Sequence, residues 1–274
     1  MQTHQGARQN CDESTSLITD MVQESFAHVF WLRITTGRIQ VSRLINRIRM
    51  NRIKMVFSLV AKGEVVLLAR EFKRRLYSDE RSLCLRRDLD IPFESPAAKL
   101  PIQIRPLREE DVGKLLEEYE EGIPSAAIRE RAQLKLFLLE KVPTCYVAVT
   151  EDGSPVFMQW LMASTENDRI REYFRDGIPP LKEDEGLLEF AFTLEKYRGM
   201  RIMPHTIAEV AKKGRDFGAK YIITSVPEGN IASLKGCKRA GFWPYMVRVA
   251  RWRCFRRRCE FKMLPPNTPY PFES

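Results

Sequence analysis

The 274-residue chain has no CxxC pair and only three histidines, at positions 4, 28 and 205. A zinc site draws on about four nitrogen or sulfur ligands at close spacing, so no metal is expected. The six cysteines (11, 84, 145, 237, 254 and 259) are scattered, which fits free thiols in a reducing compartment rather than a disulfide frame. Long apolar runs are missing as well. The most apolar stretch, MVFSLVAKGEVVLLA, is broken by Lys62, Gly63 and Glu64, so no transmembrane segment is expected. The opening residues MQTHQGARQNCDESTS lack the basic-then-apolar order of a signal peptide, and a cytoplasmic location is expected. No internal repeat or low-complexity tract is evident.

Base is present in excess, but only at the ends. Residues 1–80 carry 13 Lys/Arg against 8 Asp/Glu, and residues 251–274 carry 6 against 2. The remaining stretch holds 26 of each, so the formal charge of +9 is terminal and a nucleic-acid-binding core has little support. The basic N-terminal helices and the C-terminal strand are candidates to meet an acidic partner or an anionic surface. Solvated arginines are the plainer reading of both.

The order of elements reads as follows. Residues 1–16 are expected to be disordered, and a basic N-terminal region, 17–91, to be helical. In that region Val41, Leu44, Ile45, Ile48 and Met55 recur at helical spacing, and a second stripe runs through Val65, Leu68, Phe72 and Leu76. PFESPAAKLP, residues 92–101, reads as a proline-punctuated linker. An α/β domain then spans 102–263, with a tail at 264–274. Its strands are expected at IQI (102–104), at two segments around Asp152-Gly153, at LLEFAFT, at KYIITSV and as one long strand from Phe242 onward. The run RWRCFRRRCEFK reads as an edge strand with a basic face. Helices are expected near Asp111, over about 124–141, after Tyr197 and after Asn230, with an irregular acidic segment at 164–186. This pattern predicts a mixed, mostly antiparallel sheet with helices on both faces.

Two stretches are candidates for chemistry. In LLEFAFTLEKYRGMRIMP a strand enters a Tyr-Arg-Gly turn and then a helix, whose first amides and positive dipole end would seat a phosphate. In NIASLKGCKRAGF, Asn230 stands where a helix N-cap would, Ser233 one turn in, and Gly241 where a helix would end. Each has an ordinary structural reading by itself.

Taken together, they resemble the Gcn5-related N-acetyltransferase (GNAT) superfamily over about residues 102–255. The first half-motif is Arg198, Gly199, Met200, Arg201, Ile202, Met203. Here Arg201 and Met203 replace the second and third glycine-type residues of the family signature. The second half-motif is Asn230, Ser233, Cys237, Gly241 and Phe242, at the family's offsets, with Cys237 where a tyrosine is frequent. The resemblance implies a splayed pair of strands, Leu187–Leu194 and Lys220–Val226, with the pantetheine arm of acetyl-CoA between them. It would bond main chain near Thr193 and Leu194. The pyrophosphate would rest on the amides of Arg198 to Met203, with Asn230 and Ser233 contacting the cofactor from the next helix.

For the chemistry, the resemblance implies a carboxylate base on the first splayed strand, and Glu189 lies there amid apolar neighbours. Glu195, at the strand's end, is a weaker candidate. Cys237 is a candidate general acid whose other reading is a buried apolar residue. The expected activity is acetyl transfer from acetyl-CoA, as co-substrate, to the primary amine of an unidentified acceptor. That acceptor would lie against 123–141 and the acidic segment with Glu166, Asp168, Glu172, Asp176, Glu183, Asp184 and Glu185. Two alternatives stay open: acyl or aminoacyl transfer to a cell-envelope or natural-product precursor, and a non-catalytic CoA-binding or interaction module.

Overall fold

Helix α1 (Val65–Leu76) passes into strand β1 (Tyr77–Asp88) with no residue between them. The computed structural model describes residues 65–116, 131, 134, 135, 138 and 144–273. The expected disordered stretch 1–16, the stripe Val41–Met55 and most of the expected helix 124–141 lie outside the described residues; Arg131, Leu134, Lys135 and Leu138 are helical. The last carbonyls of a helix need donors, and no glycine follows α1 to fold the chain back. A distant segment provides them. The amides of Cys254 and Phe255 donate to the carbonyls of Leu76 and Arg75, both at 2.9 Å, and the Phe255 ring meets Phe72 edge-on at 5.0 Å.

Strand β1 is a departure from the helical reading of residues 77–91. It lies inside the sheet, paired antiparallel with two later strands, and it buries Leu83 and Leu85. Its sequence hid this, because Arg86 and Arg87 stand where a central strand is normally apolar. Arg87 is buried all the same, donating to the Ala208 carbonyl at 2.9 Å with its guanidinium over the Phe93 ring. Residues 92–101 likewise do not separate two bodies. They lie along the domain: the Lys99 amide donates to the Met200 carbonyl at 2.9 Å, and His205 Nδ1 sits 3.0 Å from the Pro96 carbonyl oxygen. All the described residues belong to one compact unit, 51–274.

The chain continues through β2 (Ile102–Pro106), α2 (Glu109–Leu116), β3 (Cys145–Thr150), β4 (Pro155–Ala163), α3 (Asn167–Phe174), β5 (Glu185–Thr193), α4 (Ile202–Lys212), β6 (Tyr221–Pro227), α5 (Ile231–Arg239), β7 (Trp243–Arg253) and β8 (Arg256–Met263). The eight strands form one sheet in the order β2-β3-β4-β5-β6-β1-β7-β8. Every neighbouring pair is antiparallel except β5–β6. The Asp152-Gly153 turn joins β3 to β4 as expected, with Gly153 at φ +79°. The expected long last strand is instead a hairpin. Cys254 and Phe255 both take positive φ, 47° and 64°, making the two-residue turn normally built from Asn-Gly, so its residue types gave no signal. The expected basic edge is therefore β8 alone.

One face of the sheet carries α4 and α5, closing over Leu85, Phe157, Leu188, Ile222 and Phe242. The other is covered in part by α2 and α3, closing over Val147, Trp160, Leu187 and Ile223. Helix α3 replaces the irregular segment expected there, because Ile170, Tyr173 and Phe174 form an inward stripe across its polar residues. The tail after β8 is docked: Tyr270 is fully buried, and its hydroxyl donates to the Phe242 carbonyl at 2.6 Å.

Candidate active site

Strands β5 and β6 pair at three positions only, Glu185↔Tyr221, Gly186↔Ile222 and Leu187↔Ile223, and then part. The cause lies in β5. Between the pairs Trp160↔Glu189 and Met158↔Phe192 two residues of β5, Phe190 and Ala191, oppose Gln159 alone, and Phe190 takes φ +57°. Such a bulge bends the strand, here away from β6. Beyond it the Leu194 amide donates to the Val156 carbonyl at 3.1 Å. That makes Phe157↔Thr193 a pair whose own amides and carbonyls turn outward, so the main chain of Thr193 faces the gap and that of Leu194 is spent on β4.

Glu189 reaches into this gap. Its Oε1 accepts from the Ser225 amide at 3.2 Å, filling a bonding position that β5 main chain has vacated. Burial between the strands pushes its carboxyl up to about 7, against the opposing pull of the Arg248 guanidinium and of the Ser225 and Phe190 amides. A carboxyl in that range exchanges protons near neutrality, which a base must do. Glu195 has another task. It pairs with buried Arg131 at 2.7 Å and with Arg198 at 3.5 Å, and its carboxyl is held below the usual range.

After β5 the chain turns through Arg198, Gly199, Met200 and Arg201 into α4. Gly199 has φ +81°, and a Cβ there would meet nothing within 4 Å, so the turn is open on that side. Arg201 is the N-cap of α4 at φ +58°, ψ +19°. This is the left-handed conformation that glycine adopts freely, and for arginine it costs about 1 kcal/mol. The amides of Ile202 and Met203 open α4 without intrahelical partners, and Pro204 has none to offer. Met203 turns its side chain away from the turn onto Gly236 of α5, whose Cβ position lies 3.2 Å from the Met203 sulfur. The Arg198 and Met200 amides are spent on the Glu195 and Tyr197 carbonyls, at 3.1 and 3.4 Å, so the expected seat of amides from Arg198 to Met203 narrows to Gly199, Arg201, Ile202 and Met203. One contact competes for the arm: Arg198 Nε donates to the Thr193 carbonyl at 3.3 Å.

Asn230 caps α5, its side-chain oxygen accepting from the Ser233 amide at 3.2 Å; Asn230 is exposed and Ser233 half-buried. Gly241 takes φ +81° past the helix end. Its amide bonds Lys238 and the Phe242 amide bonds Cys237, so the Gly-Phe pair closes the last turn. Cys237 is buried in the core, its thiol pushed up to about 12 by burial and by nearby Glu189. A thiol of that strength is a poor proton donor to a thiolate of ordinary pKa, about 8.5.

The acidic segment is partly structural. Asp176 pairs with Arg257 of β8 at 2.7 Å and accepts from the Cys259 amide, while Glu166 accepts from the Ala163 amide. Missed by sequence reading was Arg248, which stands on the Glu189 side of the sheet and donates to the carbonyl of Gly177, a residue lining a cavity of about 10 Å³, room for about one water. The cavity is lined by Cys84, Leu187, Ile223, Ser225, Tyr245 and Phe261 among others. Only its place in an alternating strand could have pointed Arg248 inward. Among the described residues no group of three or more metal-ligating side chains occurs.

A scan against protein-family models finds no match, and a search of curated proteins finds none. Solved structures do match. They include an acetyltransferase from the GNAT family of Colwellia psychrerythraea (15% identity, 64% of this chain and 56% of that one, TM-score 0.42). A Gcn5-related N-acetyltransferase from Sphaerobacter thermophilus matches at 17% identity over 73% and 57% of the two chains, TM-score 0.37. A Gcn5-related glucosamine N-acetyltransferase region of a fungal multi-domain β-N-acetylglucosaminidase matches at 14% over 69% of this chain and 22% of that one, TM-score 0.44. Over a segment, the chain resembles GNAT acetyltransferase structures. The matches span less than two thirds of those three chains.

Proposed function

We propose that the protein is an acyl-CoA-dependent N-acyltransferase that moves an acetyl group from acetyl-CoA to a primary amine. The observation that carries this reading is the parting of β5 and β6 after Leu187↔Ile223 with Glu189 in the gap. Bound acetyl-CoA would supply a thioester carbonyl as the electrophile. The Thr193 main chain would bond the arm once Arg198 swings off its carbonyl, and the amides of Gly199, Arg201, Ile202 and Met203 would hold the pyrophosphate, with Arg198 and Arg201 adding charge. Asn230, already capping α5, offers its remaining amide donors, and Ser233 its hydroxyl. An alkyl ammonium near pKa 10 must lose a proton before it can attack, and Glu189 takes that proton, directly or through water. Cys237 has no part in the proposal.

A cytoplasmic location, a cationic or neutral amine acceptor and direct attack in a ternary complex complete the reading. The substituted glycine position at Arg201 favours the second reading, a non-catalytic module. The test is thiol release from acetyl-CoA against a panel of amines, with calorimetry of acetyl-CoA binding. E189Q is expected to lower turnover about 10²- to 10⁴-fold with acetyl-CoA affinity retained. Wild-type turnover in E189Q removes the base; no binding at millimolar acetyl-CoA removes the enzyme reading and leaves the module.

A further inference from the structure

Arg248 is a charge without a counter-charge. On β7 it is half-buried; it donates to the Ser82 hydroxyl at 2.9 Å and the Gly177 carbonyl at 3.0 Å, and its Nε is buried with no partner. No ion pair joins it to a carboxylate among the described residues, although the strand ends around it are rich in such pairs, Arg251–Glu260 and Arg253–Asp79 among them. Taking a guanidinium out of water to bond neutral groups is costly, so some compensation is expected close by.

The register shows where. Leu187 pairs with Ile223, Ser225 with Cys84 and Ser82 with Arg248. Residues two apart share a face, so Glu189, Ser225, Cys84, Ser82 and Arg248 lie in one polar row crossing β5, β6, β1 and β7. Glu189 accepts from the Ser225 amide of β6; the Cys84 thiol of β1 and the Arg248 guanidinium of β7 lie along the same row, and the Cys237 thiol of α5, in the core on the other face, is close enough for its charge to be felt. Both thiols are pushed up by burial, to about 11 and about 12, and stay neutral at physiological pH. Arg248 is therefore the charged member of the row besides Glu189 itself.

We propose that Arg248, held in place by Ser82 of β1, acts on Glu189 through its charge and so keeps the carboxylate available as the base. Strand β1 then belongs to the site, although it lies before residues 102–255, whose motifs carry the sequence resemblance. This rests on the reading of Glu189 as base.

The experiment uses the full chain. Thiol release is followed from pH 5.5 to 9.5, and the Glu189 carboxyl is titrated by ¹³C NMR in glutamate-labelled protein, its resonance assigned as the one missing in E189Q. In R248M the acid limb of the rate profile and the NMR midpoint are expected to move up together by about one pH unit, with the alkaline plateau of kcat within about threefold of wild type. R248K is expected to return both toward wild type, and S82A to shift both upward by less. A merely structural Arg248 would lower kcat or stability at every pH and leave the midpoint alone. Folded R248M with an unmoved midpoint overturns the inference; should R248M not fold, an unmoved midpoint in S82A does so. The two readings fail separately. Wild-type turnover in E189Q removes the base, whereas inactive E189Q with an unmoved midpoint in R248M removes only the role of Arg248.

Discussion

The two edges of β6 have opposite fates. One pairs with β1 at seven positions, Pro227↔Ser82 through Tyr221↔Asp88; the other pairs with β5 at three and then stands apart. The zipped edge anchors the strand so that the open edge can stay open. An unpaired strand edge inside a sheet exposes amides that must find partners, and here the Ser225 amide finds Glu189. Rigidity on one side and vacancy on the other leave main chain and a carboxylate together at a gap in the sheet.

The comparison is broken most severely on the zipped edge. Deleting residues through Asp88 removes the partner of both β6 and β7, and is expected to give insoluble or unfolded protein by circular dichroism and gel filtration. Next comes L85A. Leu85 is fully buried, and the substitution is expected to cost about 2–5 kcal/mol in urea unfolding. N230A removes the cap of α5 and is expected to lower stability by about 1 kcal/mol and to weaken acetyl-CoA binding by calorimetry. R201G relieves the left-handed N-cap of α4, with a gain of about 1 kcal/mol or less in the same unfolding assay.

A pH experiment sharpens the open edge. The Glu189 carboxyl sits at about 7 in the fold, against about 4.3 in an unfolded chain, so between these values the folded state binds the proton more tightly. Glu189 therefore makes the protein lose stability as pH rises from about 4.5 to 7, by no more than about 1.4 kcal/mol per unit. E189Q is expected to flatten that decline in urea midpoints measured at pH 5, 6, 7 and 8, with the larger gain over wild type at pH 8.

Much of the resembling segment was legible because its signals are local. Gly153, Gly199 and Gly241 sit where a positive φ is needed, Asn230 sits where a cap is needed, and LLEFAFT and YIITSV carry strand residues in unbroken runs. What escaped depends on partners far along the chain. Strand β1 follows α1 with no punctuation, because α1 is capped by amides of Cys254 and Phe255, and its arginines are solvated by protein groups that no local pattern reveals. The β7–β8 turn escaped because cysteine and phenylalanine occupy left-handed positions. Arg248 lay unmarked within the expected last strand, and only the register puts it in one row with Glu189.

The place of β1 also dictates when the molecule can be finished. A strand at 77–88 whose neighbours lie at 221–227 and 243–253 must wait, during synthesis, until the residues through 253 have emerged. Closing so long a loop is entropically slow, and for that interval Leu83 and Leu85 have no shelter. The yield of folded protein should therefore depend on how well that one strand is guarded until residues 221–253 have been made.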